Sequence, residues 1–182
     1  MQNEAKLVLF IGAPSTGKTS VLKHLSKKGY QCFEEISREI VKEARKEGIT
    51  HLFKEQPLLF SEKLLEKRKT QFQLAKRSKA NFVFIDRGLP DITAYLDMVN
   101  TPYSKEFKVA NTTYKYDKVF WFPLWNDIYI EDHERYEDFQ LAKIIQKHLI
   151  DTYSAIDYEL IEVPKLNIED RVSFILSHLK NS

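Results

Sequence analysis

Only one cysteine, Cys32, occurs among the 182 residues, so no internal disulfide can form and a stapled secreted scaffold is excluded. Glycine is scarce as well, at five residues, which rules out collagen-like or low-complexity chains. Neither sign of charge dominates. Lys and Arg total 28 against 26 for Asp and Glu, a net charge of +2, and such a balance lacks the basic excess of a nucleic-acid binder. No apolar run is long. The first one, Leu7 to Ile11, stops at a glycine; it is too brief for a membrane span and lacks the form of a signal peptide. No membrane span and a cytoplasmic location are therefore expected. There is no internal repeat and no linker.

What is present is the composition of a globular domain, 43% hydrophobic and 30% charged. A chain of this length can bury a core without disulfides, and one domain over 1–182 is expected. Short apolar runs alternate with helical patterns. Strands are expected at Leu7 to Ile11, Gln31 to Phe33, Phe82 to Ile85 (FVFI), Val119 to Phe122 (VFWF) and Leu160 to Val163. Helices are expected at Thr19 to Lys28, Ser37 to Lys46, Pro57 to about Lys79, Pro90 to Val99, Phe139 to Ile156 and Ile168 to Leu179. Gly29 and Gly48 stand where helices end, and Pro57 where one begins. Alternation of this kind predicts an α/β fold of three layers, a five-stranded parallel sheet covered on both faces. Ligands in such folds meet the carboxyl ends of the strands. The chemistry is therefore expected just after Ile11, Phe33, Ile85 and Phe122.

The segment after the first strand is GAPSTGKT, Gly12 to Thr19, a full match to G-x-x-x-x-G-K-[ST]. Gly12 and Gly17 let the backbone curl. The amides of Ala13, Pro14's neighbours Ser15 and Thr16, and the start of the next helix through Ser20 then form an anion nest reinforced by the helix dipole. Lys18 is expected to meet the β- and γ-phosphates of ATP, and the Thr19 hydroxyl to meet Mg²⁺.

Three further segments follow strand ends. In FVFIDRGLPD, Asp86 stands where a carboxylate holds Mg²⁺ or its water, and Arg87 follows with a planar fork suited to phosphate. The bland alternative is a strand-end Asp capping a helix. In FEEISREI, Glu35 is a candidate for taking a hydroxyl proton or binding a ribose diol, and Arg38 for holding an acceptor anion. Glu34 and Glu35 are equally explained as acids near a helix N-terminus, and which of the two faces the site is open. After VFWF comes FPLWNDIYIEDHERYEDF, a lid-like loop around 123–138 with Trp125, Asp132, His133 and Arg135. Arg135 is the candidate for stabilising a transferring phosphoryl group. Asp132 beside His133 is not metal-ligand spacing. Phe120, Trp121 and Phe122 are expected in the core.

Together GAPSTGKT, EEISREI, IDRGLPD, DHERYEDF and YELIEVP resemble the AAA-type ATP-binding domains related to the ribosylnicotinamide kinase part of bacterial NAD-biosynthesis regulators. The resemblance covers nearly the whole chain. GKT is generic, whereas EEISRE and DRGLPD are more distinctive. It implies a P-loop NTPase with a nucleoside- or nucleotide-kinase-like core that uses ATP and Mg²⁺, with Lys18, Thr19, Asp86, Arg87 and Arg135 at the matching positions. The full regulators also carry adenylyltransferase and DNA-binding parts, and a chain of this length is expected to hold neither. The function expected is transfer of the γ-phosphoryl of ATP to a nucleoside-like acceptor, with ribosylnicotinamide one such molecule. The alternative is a nucleotide-dependent binding module or slow NTPase acting on a partner. A guanine-specific switch lacks its N-K-x-D stretch. An AAA remodelling machine lacks a second helical domain.

Overall fold

The computed structural model describes residues 4–46, 48–49, 51–128 and 138–180. Five strands, β1 (Lys6–Ile11), β2 (Gln31–Phe33), β3 (Phe82–Asp86), β4 (Lys118–Trp121) and β5 (Leu160–Glu162), form one sheet in the order β2-β3-β1-β4-β5. Every pairing is parallel, and Phe10 stands opposite Asp86 in the register of β1 and β3. The helices are α1 (Lys18–Lys27), α2 (Ser37–Lys46), α3 (Leu52–Glu55), α4 (Pro57–Lys76), α5 (Pro90–Met98), α6 (Lys105–Thr113), α7 (Phe139–Ser154) and α8 (Ile168–Lys180).

β1 is apolar at every buried position because both of its faces are covered. Leu7, Leu9 and Ile11 pack with α2, α4, α5 and α6 through Ile40, Leu64, Ile92 and Phe107. Val8 and Phe10 point the other way, onto Val21, Leu22 and Leu25 of α1 and Val172, Ile175 and Leu179 of α8. Phe10 sits within a nest of rings, 5.8 Å from Phe84, 6.3 Å from Phe120 and 5.1 Å from Phe122. Each such side chain taken fully out of water contributes roughly 1.5–3 kcal/mol. Phe120 and Phe122 are buried as expected, and Trp121 is half-buried.

Most expected elements stand within a few residues of their predicted bounds; α4 stops at Lys76 rather than Lys79, and α7 at Ser154 rather than Ile156. Two helices were not anticipated. α3 has four residues, too short for a periodic signal, and α6 reads KEFKVANTT, whose C-terminal half is a poor helix former. α6 is held by tertiary burial of Phe107 and Ala110, and Asn111 donates to the Thr93 hydroxyl at 2.8 Å. Beyond β4 a short turn, Asn126–Ile128, begins the expected lid. Asp132, His133 and Arg135 lie outside the described residues. No helix among the described residues is long and apolar enough to cross a membrane.

Candidate active site

The middle strand, β1, delivers the chain into the phosphate loop. Gly12 and Gly17 take φ of 143° and 86°, where a side chain is strained, and a Cβ on Gly12 would stand 2.6 Å from the Phe122 carbonyl oxygen. Lys18 opens α1 and turns its ammonium back into the loop. It donates to the carbonyls of Gly12 and Ala13 at 2.8 Å each and to the Thr16 hydroxyl at 3.2 Å. Burial, and then the charge of Arg87, bring its pKa down to about 7. Among the described residues no carboxylate stands within hydrogen-bond distance of this ammonium.

α8 supports the loop from outside. Arg171 is buried and its Nη1 donates to the Thr16 carbonyl at 3.2 Å. Its guanidinium lies 4.9 Å from the centroid of the Trp125 ring, in the segment that follows β4. Arg171 was not singled out from sequence, although a signal exists: it shares the buried stripe of α8 with Val172, Ile175 and Leu179.

Asp86 and Thr19 meet across the loop, with Thr19 Oγ1 donating to Asp86 Oδ2 at 3.0 Å. Burial pushes the Asp86 pKa up; Lys18 opposes this, Glu35 adds to it, and Arg87 and the Thr19 hydroxyl again oppose. Among the described residues Asp86 Oδ1 is buried with no hydrogen-bond partner. A buried, partnerless carboxylate oxygen beside a hydroxyl is the donor set of a hard cation that keeps its waters and phosphate ligands, so these residues fit Mg²⁺.

The turn after β3 is fastened on all sides. Arg87, not the glycine, takes the left-handed backbone, φ 70°, and its amide donates to the Phe10 carbonyl at 3.0 Å. Gly88 is required for space. A Cβ there would come within 2.7 Å of both Leu9 Cδ2 and Tyr153 Oη, and 2.9 Å of Tyr116. Its amide donates to Asp91 Oδ2 at 3.0 Å, its carbonyl accepts from Arg68 Nη1 at 2.5 Å, and the Leu89 amide donates to Tyr116 Oη at 3.2 Å. Tyr153 from α7 donates to Asp91 Oδ2 at 2.5 Å.

Glu35 points into this cluster. Its Oε1 accepts from the Ser37 amide at 3.1 Å and pairs with Arg68 at 3.2 Å, while Oε2 pairs with Arg87 Nε. Burial works to raise its pKa, but Arg87, Arg68 and the Ser37 amide hold it below the ordinary carboxylate value. Glu34 is exposed, so of the two acids it is Glu35 that faces inward. Arg87 is therefore engaged by Glu35 and, at 3.4 Å, by Asp91, with its guanidinium 5.6 Å from the Tyr95 ring centroid. Arg68 was missed in the sequence because α4 reads as a solvated charged helix. Its clue was position: it falls on the same stripe as Leu64, Leu65, Phe72 and Ala75.

A depressed Glu35 pKa has a consequence for stability. Its contribution is full above the ordinary value of 4.5 and is lost as pH falls from there through the lower folded value. Glu35→Gln should therefore be more destabilising at pH 7 than at pH 3, by denaturant unfolding at both. An equal penalty at the two pH values would show that Glu35 is not held ionised by the guanidiniums.

One cavity of about 980 Å³ joins these parts. On one side of the phosphate loop it is walled by Trp125, Ile128, Leu166 and Arg171; on the other by Glu35, Arg38, Arg87 and Tyr95. Of the residues expected at the site, Pro14 to Ser20, Glu35, Arg38, Asp86 and Arg87 all line it, Gly12 and Ala13 lie under the loop as acceptors for Lys18, and Arg135 lies outside the described residues.

A family model described as an AAA domain matches residues 7–171. No curated protein matches the chain. Among solved structures, deoxyadenosine kinase from M. mycoides is similar with a TM-score of 0.71 and 17% identity, over 97% of this chain and 100% of that one. Thymidylate kinase from Candida albicans gives 0.63 and 17%, over 98% and 92%. The NadR protein solved with NR gives 0.71 and 14%, over 99% of this chain and 52% of that one, so the chain spans about half of that protein's length. At these identities the likeness is one of fold: the α/β, P-loop architecture of nucleoside and nucleotide kinases, as the sequence predicted.

Proposed function

Given that the chain belongs to the AAA domain family whose model spans residues 7–171, we propose that it is an ATP- and Mg²⁺-dependent phosphotransferase acting on a nucleoside-like small molecule. The observation that carries this reading is the single cavity on both sides of the phosphate loop. A switch that only holds a nucleotide needs the half bounded by Trp125 and Arg171. A phosphotransferase needs the second half, beyond β3 and β2, within reach of the γ-phosphate.

On this reading the base of ATP lies toward Trp125, Leu166 and Arg171, and its phosphates follow the amides of Gly12 to Ser20. Lys18 neutralises the β- and γ-phosphates. Thr19 and Asp86 hold Mg²⁺, which when bound neutralises charge developing on the phosphate oxygens. The acceptor enters over Tyr95 and meets Arg87 and Glu35. Its oxygen forms a new bond to the γ-phosphorus as the bond from that phosphorus to the bridging oxygen breaks, and ADP leaves. Where the attacking oxygen is a hydroxyl, its proton passes to Glu35. Arg135 is assigned to the transferring group from the lid.

The test is ADP release from ATP–Mg²⁺ against a panel of nucleosides, ribosylnicotinamide included, and nucleotides. At least one acceptor should raise ADP formation well above the hydrolytic background, with one phosphorylated product per ADP. A rate that no acceptor changes would replace this reading with that of a slow NTPase.

A further inference from the structure

The helix beyond the acceptor half of the cavity sorts its charges in an unusual way. Arg38, Lys42 and Arg45 fall at i, i+4 and i+7 of α2, one stripe of a helix, and all three line the cavity. Glu39 and Glu43 occupy the adjoining flank, where both pair with Lys67 of α4 at 3.2 and 3.1 Å. Like charges three and four apart weaken a helix by roughly 0.2–0.5 kcal/mol per pair, and the opposite order would strengthen it. Glu39 and Glu43 also stand three residues before Lys42 and Lys46, yet among the described residues no ion pair forms within α2. Lys67 compensates the acidic flank, whereas the basic flank makes no ion pair among the described residues.

The rest of this half of the cavity does not compensate it either. The whole cavity lining carries seven cations, Lys18, Arg38, Lys42, Arg45, Arg68, Arg87 and Arg171, against three carboxylates, Glu35, Asp86 and Asp91. Glu35 and Asp91 are already occupied by Arg68 and Arg87, and Asp86 accepts from Thr19. The remaining wall includes the apolar side chains of Val41, Phe53, Phe60, Leu64 and Ile92. Phe53 meets Phe60 and Tyr95 edge to face, with centroids 5.5 and 5.8 Å apart. A ring seated on these aromatics has cationic side chains along one side.

We infer that the acceptor carries an anionic group of its own and belongs to the class of nucleoside monophosphates, its base over Phe53, Phe60 and Tyr95 and its phosphate received by the basic stripe of α2. This rests on the phosphotransferase reading and narrows it. The stripe spans about 10 Å of helix at 1.5 Å per residue, and its long side chains converge on a single phosphate. The step balances without a base: an oxygen of the acceptor phosphate forms the bond to the γ-phosphorus, the bond from that phosphorus to the bridging oxygen breaks, and ADP departs with that electron pair. No proton is abstracted. In this arrangement Glu35 positions Arg87.

The experiment compares 5′-monophosphates of adenosine, guanosine, cytidine, uridine and thymidine with their parent nucleosides. ADP release and equilibrium binding to the ADP–Mg²⁺-loaded full chain are both measured, with wild type and with Lys42→Gln and Arg45→Gln. At least one monophosphate should turn over with a KM tenfold or more below that of its nucleoside. Each substitution should raise that KM roughly tenfold, the scale of one charged hydrogen bond, while KM for ATP stays within about twofold. Because both side chains are exposed, the variants should fold, which circular dichroism checks. Nucleosides turning over as well as their monophosphates would overturn the inference and leave the phosphotransferase reading standing. So would a monophosphate KM indifferent to both substitutions. No acceptor-dependent ADP from either set would overturn both.

Discussion

Replacing Asp86 with asparagine is expected to cut turnover by roughly two orders of magnitude while leaving the fold intact. Asp86 is buried, with one oxygen on the Thr19 hydroxyl and the other without a hydrogen-bond partner among the described residues, and burial already pushes its pKa upward. Asparagine keeps the shape and can keep accepting from Thr19, but it removes the negative charge that the proposed Mg²⁺ would require. Losing about 3 kcal/mol of transition-state stabilisation, the scale of one metal-borne charge contact, corresponds to roughly a hundredfold. The Mg²⁺ concentration for half-maximal rate should rise in parallel. The melting temperature should not fall, since a carboxylate with an unmet burial cost has been replaced by a neutral amide. Glu35→Gln provides the contrast. It should leave the Mg²⁺ requirement unchanged and act on the acceptor's KM or on kcat, because Glu35 lies two residues past the end of the edge strand β2, one strand beyond Asp86. Activity assays of both variants over a Mg²⁺ titration decide the assignment. Should Glu35→Gln alter the metal requirement and Asp86→Asn not, the two roles are exchanged.

Lys18→Ala is expected to weaken ATP binding by roughly ten- to a hundredfold, the loss of a hydrogen-bonded charge contact worth about 1.5–3 kcal/mol. The melting temperature without nucleotide should not drop. The ammonium is buried among carbonyls and one hydroxyl, and its pKa is brought down to about 7 by that burial. Its charge is thus held at a cost that a bound polyphosphate offsets. Titration calorimetry with ATP–Mg²⁺ and thermal unfolding with and without nucleotide form the check. An ATP affinity equal to wild type would remove the phosphate-loop assignment altogether.

How much of this was legible in the residues depends on how local each interaction is. GAPSTGKT could be read directly, since its chemistry is that of eight consecutive residues and the backbone they curl. The strands were legible because a parallel strand buried on both faces must be apolar throughout, as in LVLFI and FVFI. Asp86 was legible for a related reason: a carboxylate at the end of an apolar strand has only the strand's carboxyl edge to occupy.

Other features depended on distances that no window of sequence contains. Arg68 lies 33 residues from Glu35, and Tyr153 lies 62 from Asp91. Arg171 reaches the Thr16 carbonyl across 155 residues. Each sits on an apolar stripe or strand-end turn where a polar residue is a conspicuous exception, so the sequence marks the position but not the partner. The DRG turn is the clearest case. Its left-handed residue is Arg87, and Gly88 is there because Leu9, Tyr116 and Tyr153 leave no room for a Cβ. The amino-acid order by itself determined the sheet, the phosphate loop and the placement of Asp86, because periodicity and local backbone geometry act within a few residues. Only the tertiary structure decided which charges pair, which stay unpaired along α2, and where Glu35 points, because those depend on the low-dielectric contacts that form when distant segments pack together.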